Sequence, residues 1–322
     1  MKAIVYHRYG SPDMLGMEEV PQPVPGDDEL LIKVHAASVN SWDWELLRGT
    51  PYANRLMFKG YFKPRLTILG ADVAGVVESV GKNVTGFQPG DAVMGDLCES
   101  GWGGFAEYVC AHQDAVIRKP EGMSFEDAAA IPQAGAMAMQ GLMEQGGIHP
   151  GQRVLINGAG GGVGTFAVQI AAAMGAEVTG VDRGDKLDML SALGVDHVID
   201  YTREDFTKNG QTYDVIVDVT LRRSVFDCRR ALNPGGRYVV IGGSMGRIMQ
   251  TALLGPFMAK KHGVSMGLLL ARPNRELDAL LKLIKEGSVR PVIDTGYPLA
   301  GVPDAVRYVE QGNARGKVVI TV

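Results

Sequence analysis

The stretch "INGAGGGVGTF" at residues 156–166 holds five glycines in the seven positions from Gly158 to Gly164. Glycine inside a regular element is destabilising, by roughly 0.5–1 kcal/mol relative to alanine, so such a cluster marks a place where something must approach the backbone closely. The text before it, "RVLIN" (153–157), reads as a short apolar strand, and "VGTFAVQIAAAMG" after it reads as an Ala-rich helix ended by Gly175. Between strand and helix, glycines permit a tight turn, admit a pyrophosphate to the backbone, and let the helix pack on the strand. The helix start then offers unpaired N–H groups and positive dipole charge to the phosphates. Gly158, Gly161, Gly162, Val163 and Gly164 are the expected floor of a dinucleotide site.

The end of the next strand bears on which dinucleotide it is. Asp182 of "GVDRGDK" (180–186) falls about 20 residues past the glycines, where an acid would hydrogen-bond a ribose 2′-hydroxyl and favour NAD. Arg183 and Lys186 sit beside it, and a cation there would pair with the 2′-phosphate of NADP. The local spacing leaves both open.

These residues need a scaffold, and the chain changes texture along its length to supply one. Residues 1–122 carry short alternating runs such as "ELLIKVHAASV" and "DVAGVVESVG", with Pro- and Gly-rich turns between them. That pattern predicts a compact β-barrel or sandwich. From about residue 123 strands alternate with helices. "EVTGV", "HVID", "YDVIVDV" and "RYVVIGG" are the strands after "RVLIN". Helices are expected at "DKLDMLSALG" and near 224–232, and "NPGG" reads as a turn. Regular βαβ alternation predicts a parallel, doubly wound sheet. One amphipathic helix, "RELDALLKLIKEG", and a closing strand in "KVVITV" follow.

Composition narrows the function. The 322 residues suit two domains, and 46% apolar with 21% charged residues describe an ordinary globular chain. A net charge of −4 offers no reason to expect nucleic acid or an anionic membrane as partner. No apolar run is long enough to span a bilayer, no signal-peptide core is present, and three cysteines are too few for a disulfide framework. The cytoplasm is the expected compartment.

Across its full length the chain resembles the zinc-independent medium-chain dehydrogenase/reductase superfamily, in its quinone oxidoreductase and enone reductase branch. The matching stretches include "AASVN" (36–40) with Asp43, "ILGADVAGVVESVG" (68–81) and "FQPGDAV" (87–93). They continue through "GGFAEYV" (103–109), "AAAIPQAGAMAMQGL" (128–142), "GQRVLINGAGGGVGTFAVQIA" (151–171), "GVDHVIDY" (194–201) and "ARGKVVITV" (314–322). The resemblance implies an α/β protein: a Rossmann doubly wound parallel sheet, residues 123–271, inserted in a GroES-like β-rich catalytic domain, residues 1–122 and 272–322. It also implies a homodimer.

Carried over by position, the resemblance makes Asn40 and Asp43 a pair lining the catalytic cleft, and Tyr52 a loop tyrosine presented to substrate. A half-buried structural role is the equal alternative for Tyr52. Gly242, Gly243 and Ser244 match the segment that backs the nicotinamide. Lys186 and Tyr201 match positions that meet the 2′-phosphate and adenine in NADPH-using relatives. NADPH is therefore the expected cofactor, with NADH as the alternative that Asp182 supports.

Zinc-dependent relatives carry a cysteine where this chain reads "SVNSWDW", and Gly-His-Glu where it reads Gly70-Ala71-Asp72. A metal-free protein is expected, since zinc needs a tetrahedral set of Cys, His or carboxylate ligands. Conjugate reduction suits such a site: hydride goes to a quinone or to the β-carbon of an enone, and a few donors hold the resulting anion. The alternatives are a zinc-free alcohol or carbonyl dehydrogenase and a non-catalytic nucleotide-binding protein. Three departures from the branch stand out: Met137 in place of a threonine, Val219-Thr220-Leu221 in place of Asn-Val-Gly, and the apolar, Met-rich segment 245–270.

Overall fold

The computed structural model describes residues 1–57 and 60–322 and divides the chain into two compact units, Met1–Gln133 with Ile293–Val322, and Ala134–Val292.

The first unit begins with β1 (Lys2–Val5), β2 (Gly16–Glu19), β3 (Glu29–Val39), α1 (Ser41–Arg48) and α2 (Tyr52–Met57). β4 (Asp72–Val80), β5 (Ala92–Asp96), β6 (Tyr108–His112), β7 (Ile117–Arg118) and α3 (Phe125–Ala130) follow. The chain enters the second unit in α4 (Pro132–Met139) and later returns with β14 (Ile293–Pro298), α10 (Val302–Glu310) and β15 (Lys317–Thr321). One seven-stranded sheet runs β14-β15-β3-β4-β5-β7, with β6 also paired to β3. β3 is long and almost wholly buried because its apolar residues face covered surface on both sides.

The second unit is the βαβ series: β8 (Arg153–Asn157), α5 (Gly162–Ala173), β9 (Glu177–Asp182), α6 (Leu187–Ala192) and β10 (His197–Asp200). It continues with β11 (Tyr213–Asp218), α7 (Val225–Arg230), β12 (Leu232–Val240), α8 (Met245–His262), β13 (Ser265–Leu268) and α9 (Leu277–Lys285). Its sheet is entirely parallel in the order β10-β9-β8-β11-β12-β13. The order reverses beside β8, which is the switch point where such sheets bind ligands.

Three expectations need correction. The sequence places the return to the first unit at residue 272, whereas the contacts place it at 293. Arg272 exchanges two hydrogen bonds with the Gln140 amide, and the Arg290 backbone exchanges two with Gln169. Leu277 and Leu280 are buried there as well, so α9 stays with the second unit. At the other boundary α3 remains in the first unit, packed on β3 and β4, with Phe125 stacked 4.4 Å from His35. "NPGG" is not a free turn but the start of β12, absorbed by a register irregularity against β11. The apolar segment 245–270 forms α8 and the edge strand β13. Among the described residues no helix is long and apolar enough to cross a membrane.

Candidate active site

The glycine loop joins the carboxyl end of β8 to α5, and its geometry leaves no room for a side chain at Gly158, Gly160 or Gly164. Gly158 has φ +88°, and a Cβ on it would lie 2.7 Å from Thr220 Cγ2. A Cβ on Gly164 would lie 2.1 Å from the Gly158 carbonyl oxygen, which is the close packing of helix on strand that the spacing predicts. Gly161 is the N-cap of α5, no side chain caps that terminus, and a Cβ at Gly161 would meet only the Gly158 oxygen at 3.6 Å. The entrance to α5 is therefore open, with its first N–H groups turned outward; Gly162, Val163 and Gly164 form that first turn. A pyrophosphate fits this cradle.

Around it the structure gathers the turns after β11 and β12. Asp218 is fully buried and organises the first of these. One of its oxygens accepts from Asn157 Nδ2 (2.9 Å) and from the Thr220 and Leu221 N–H groups (3.1 and 2.7 Å), and the other accepts from Tyr238 Oη (2.9 Å). Leu221, where the branch commonly has glycine, adopts φ +50°, a conformation uncommon for a bulky residue. A Cβ on Gly243, itself at φ +123°, would strike Leu221 Cβ at 2.3 Å. Gly242 approaches Val219, and Ser244 is the N-cap of α8 without a side-chain capping bond.

Asp182 lies at the end of β9 as expected, but its carboxylate is engaged. One oxygen accepts from Gly160 N–H (2.7 Å) and the other from Arg183 N–H (2.8 Å). Lys186 is buried, its Nζ 4.0 Å from Asp182 Oδ1 and its stem folded against Gly160. Arg183 is partly exposed and pairs with Asp185 (2.5 and 2.9 Å). Tyr201 is half-buried, and the guanidinium of Arg222 lies 4.7 Å above its ring. Arg222, an exposed cation, escaped sequence reasoning because it follows a different strand from Asp182.

The first unit contains a second polar centre. Asn40 follows β3 as the N-cap of α1, its backbone oxygen accepting from Asp43 N–H (3.2 Å) and its own N–H donating to the Asp43 carboxylate. Asp43 does not line a cleft. It is wholly buried, one oxygen accepting from Asn40 N–H (2.7 Å) and the other from Gly70 N–H (2.8 Å). Burial pushes its carboxyl up to about 7 even though these two N–H groups pull the other way. Burial likewise raises Glu45 to about 7, and burial with the neighbouring Asp72 charge raises Asp96 to about 6.

Asn40 is 8% exposed and meets two charged residues that sequence reasoning passed over. Its Nδ2 donates to Asp72 Oδ2 (2.9 Å), and its Oδ1 accepts from Lys317 Nζ (2.6 Å). Lys317 is only 2% exposed and also donates to Asp72 (3.1 Å). Asp72 further accepts from Ser38 Oγ (2.9 Å) and Gln133 N–H (2.9 Å). The sheet register assembles this network: Ser38 lies opposite Asp72, and Val39 opposite Val318. The one available signal was a charged residue opening the apolar runs "DVAGVV" and "KVVITV".

Tyr52 is not the half-buried residue of the structural alternative, and it stands on a helix rather than a loop. It opens α2 and is 73% exposed, its ring 4.5 Å from the Arg55 guanidinium, which also lies 4.3 Å over Tyr9.

Comparison with known proteins places this geometry. Residues 26–121 match the alcohol dehydrogenase GroES-like domain, and residues 193–320 match the zinc-binding dehydrogenase family model. The 2-methylene-furan-3-one reductase of Solanum lycopersicum is 36% identical over 99% of this chain and 79% of its own length. The chloroplast envelope quinone oxidoreductase homolog of Arabidopsis thaliana is 32% identical over 99% of this chain and 98% of its own. The structure of the quinone oxidoreductase from Coxiella burnetii superposes with a TM-score of 0.88 at 32% identity, over 100% of this chain and 99% of that one. A fold and cradle of this kind define an NAD(P)H-dependent oxidoreductase. The chain belongs to the medium-chain dehydrogenase/reductase superfamily, in its quinone oxidoreductase and enone reductase branch.

The name of the second family model implies a metal, but the donors here do not fit one. Among the described residues no group of three or more His, Cys, Asp or Glu converges. Asp72, at the place of the zinc relatives' Gly-His-Glu acid, is taken up by Ser38, Asn40, Gln133 and Lys317.

Proposed function

We propose that this protein is a zinc-free, NADPH-dependent reductase of quinones and of the C=C bond of α,β-unsaturated carbonyls. The observation that carries the reading is the open, uncapped entrance to α5 on a chain whose whole length is similar to quinone and enone reductases. Bound there, the dinucleotide supplies a hydride. The glycine loop and the first turn of α5 hold its pyrophosphate through backbone N–H groups, and Gly242, Gly243 and Ser244 back the nicotinamide.

NADPH is favoured over NADH because each Asp182 oxygen already holds a backbone N–H, of Gly160 and of Arg183, and cations gather beside it. Asp182 thus shapes the glycine loop, a role it performs for either cofactor. Arg183, Lys186 and Arg222, with Tyr201 beneath the last, supply cations and a ring for the adenosine 2′-phosphate.

The acceptor gains a hydride and becomes an enolate or hydroquinone anion. Asn40 is the group we assign to hold that charge, because its amide carries an N–H with no acceptor among the described residues. Solvent then protonates the anion. Asp43 acts indirectly by fixing Asn40 at the start of α1. Tyr52 is an exposed aromatic that would contact the acceptor.

Dissociation constants for NADPH and NADH, followed by turnover with a quinone, an enal, an enone and a simple alcohol, test the reading. Tight NADPH binding with quinone or enone turnover is expected. Turnover of the alcohol alone, or binding without turnover of any electrophile, overturns it.

Two further assignments belong to this reading. The protein is a homodimer: β13 is a sheet edge, and Met245, Met249, Leu253 and Phe257 lie exposed at four-residue spacing along α8. Light scattering should give twice the chain mass. The compartment is the cytoplasm, which suits three free thiols, and fractionation of the source cell should recover the protein there.

A further inference from the structure

The polar centre of the first unit contains more charge than a capping motif requires. Asp43 and the Asn40 backbone already complete the start of α1. Beyond them, a lysine and an aspartate are buried almost completely, and both end on the side-chain amide of Asn40. A buried ion pair adds little net stability compared with apolar residues of the same size, so its retention here calls for another role.

The chemistry of the three groups supplies one. An ammonium can only donate and an ionised carboxylate can only accept. Lys317 therefore forces the amide oxygen of Asn40 toward itself, and Asp72 forces the amide nitrogen the other way. An asparagine without such neighbours can flip, and in one of its two orientations it presents oxygen rather than N–H to whatever meets it. The pair removes that choice, and the Lys317 ammonium on Oδ1 also polarises the amide so that its remaining N–H donates more strongly.

We propose that Lys317, with Asp72, is a positioning residue for the reduction: it locks the Asn40 amide as a donor toward the anion that forms on the acceptor. The proposal rests on the assignment of Asn40 as the group that holds that anion. Lys317 itself touches neither substrate nor cofactor in this scheme.

The test compares Asn40→Ala with the charge-neutral double variant Lys317→Met/Asp72→Asn, which removes both members of the buried pair and keeps one acceptor oxygen for Gln133 N–H, while the Ser38 hydroxyl can turn to accept from the new amide. Two readouts are taken on the protein saturated with NADP(H): kcat and KM for an enone, and the pH at which bound p-nitrophenol ionises, read from its visible absorbance. The double variant should lower kcat about tenfold or more with little change in KM. It should also raise the pH at which the bound phenol ionises, because a freely flipping amide stabilises the phenolate less. A purely structural role for Lys317 would move neither kcat nor the phenol once the protein is folded and saturated.

Unchanged kcat in the double variant, with Asn40→Ala impaired, overturns the lock and leaves the role of Asn40 standing. Unchanged kcat in Asn40→Ala overturns the assignment of Asn40 and the lock with it. Where the double variant does not fold, Lys317→Arg takes its place. It keeps the charge for Asp72 but replaces a compact donor with a planar fork. A fall in kcat at unchanged melting temperature supports the lock, and full activity overturns it.

Discussion

On the proposed reading, the two polar centres of this protein solve the same problem, holding negative charge, by opposite means. In the second unit the donors would be backbone N–H groups at the start of α5, where Gly158 and Gly164 let loop and helix pack closely and Gly161 leaves the entrance open. In the first unit the donor is one amide, Asn40, set by two buried charges. The backbone site tolerates no added atoms at Gly158, Gly160 or Gly164, whereas the side-chain site tolerates no unbalanced charge. Their failure modes should differ accordingly.

Asp72→Ala should give the largest effect. It strands the Lys317 ammonium in a buried site, and breaking such a pair from one side costs about 3–5 kcal/mol. Chemical denaturation should show that loss, and a variant as stable as the parent would mean the pair is solvated.

Gly164→Ala should come next, with the damage falling on the cofactor. A methyl group 2.1 Å from the Gly158 oxygen forces the loop away from α5, and overpacking of about 3 kcal/mol corresponds to roughly a hundredfold weaker NADPH binding. Calorimetric titration measures this. Unaltered affinity would show that the loop and helix separate easily.

The pH dependence of stability near neutrality probes the buried carboxyls of the first unit, Asp43 above all. Asp43 has a raised carboxyl in the folded state, about 7 against an ordinary 3.8, so the folded chain binds more protons than the unfolded chain between those values. Its contribution is present in full below the unfolded value and is lost as pH rises through about 7, and Glu45 acts in the same direction. From pH 5.5 to 8 the Asp43 contribution should fall by about 2 kcal/mol, visible as a lower melting temperature at the higher pH. Asp43→Ala should flatten that slope while lowering stability throughout, since two N–H groups lose their acceptor. A melting temperature that rises over this range would contradict the burial of Asp43.

Asp182→Ala should weaken NADPH and NADH alike, by about tenfold, because it frees the Gly160 loop that both cofactors use. Loss confined to NADH would restore Asp182 as a ribose-reading acid. Arg183→Ala should have the smallest effect, a roughly fivefold loss for NADPH and none for NADH. Equal affinities before and after would remove Arg183 from the phosphate site.

Comparison of the two centres also shows what could be read in advance. The strand, the five glycines and the helix of "RVLINGAGGGVGTF" lie in one short segment, so type and spacing define the cradle before any folding is considered. Asp182 was placed correctly at the end of β9, but its hydrogen bond to Gly160, 22 residues away, was not visible. Asn40 and Asp43 were found through resemblance, yet their partners divide them into an amide held by Asp72 and Lys317 and a wholly enclosed cap. Domain limits near 122 and 272 moved to 133 and 293, because α3 and α9 carry apolar faces whose partners only packing selects.

Local chemistry thus established the fold class, the parallel βαβ order and the phosphate cradle, since backbone conformation and hydrophobic periodicity act over a few residues. Asn40, Asp72 and Lys317 are different. They stand 32 and 277 positions apart, and each is an unremarkable polar residue in its own segment. Antiparallel pairing of β3 with β4 and β15 brings them within hydrogen-bond distance and removes water from around them. At low dielectric their mutual orientation then becomes compulsory.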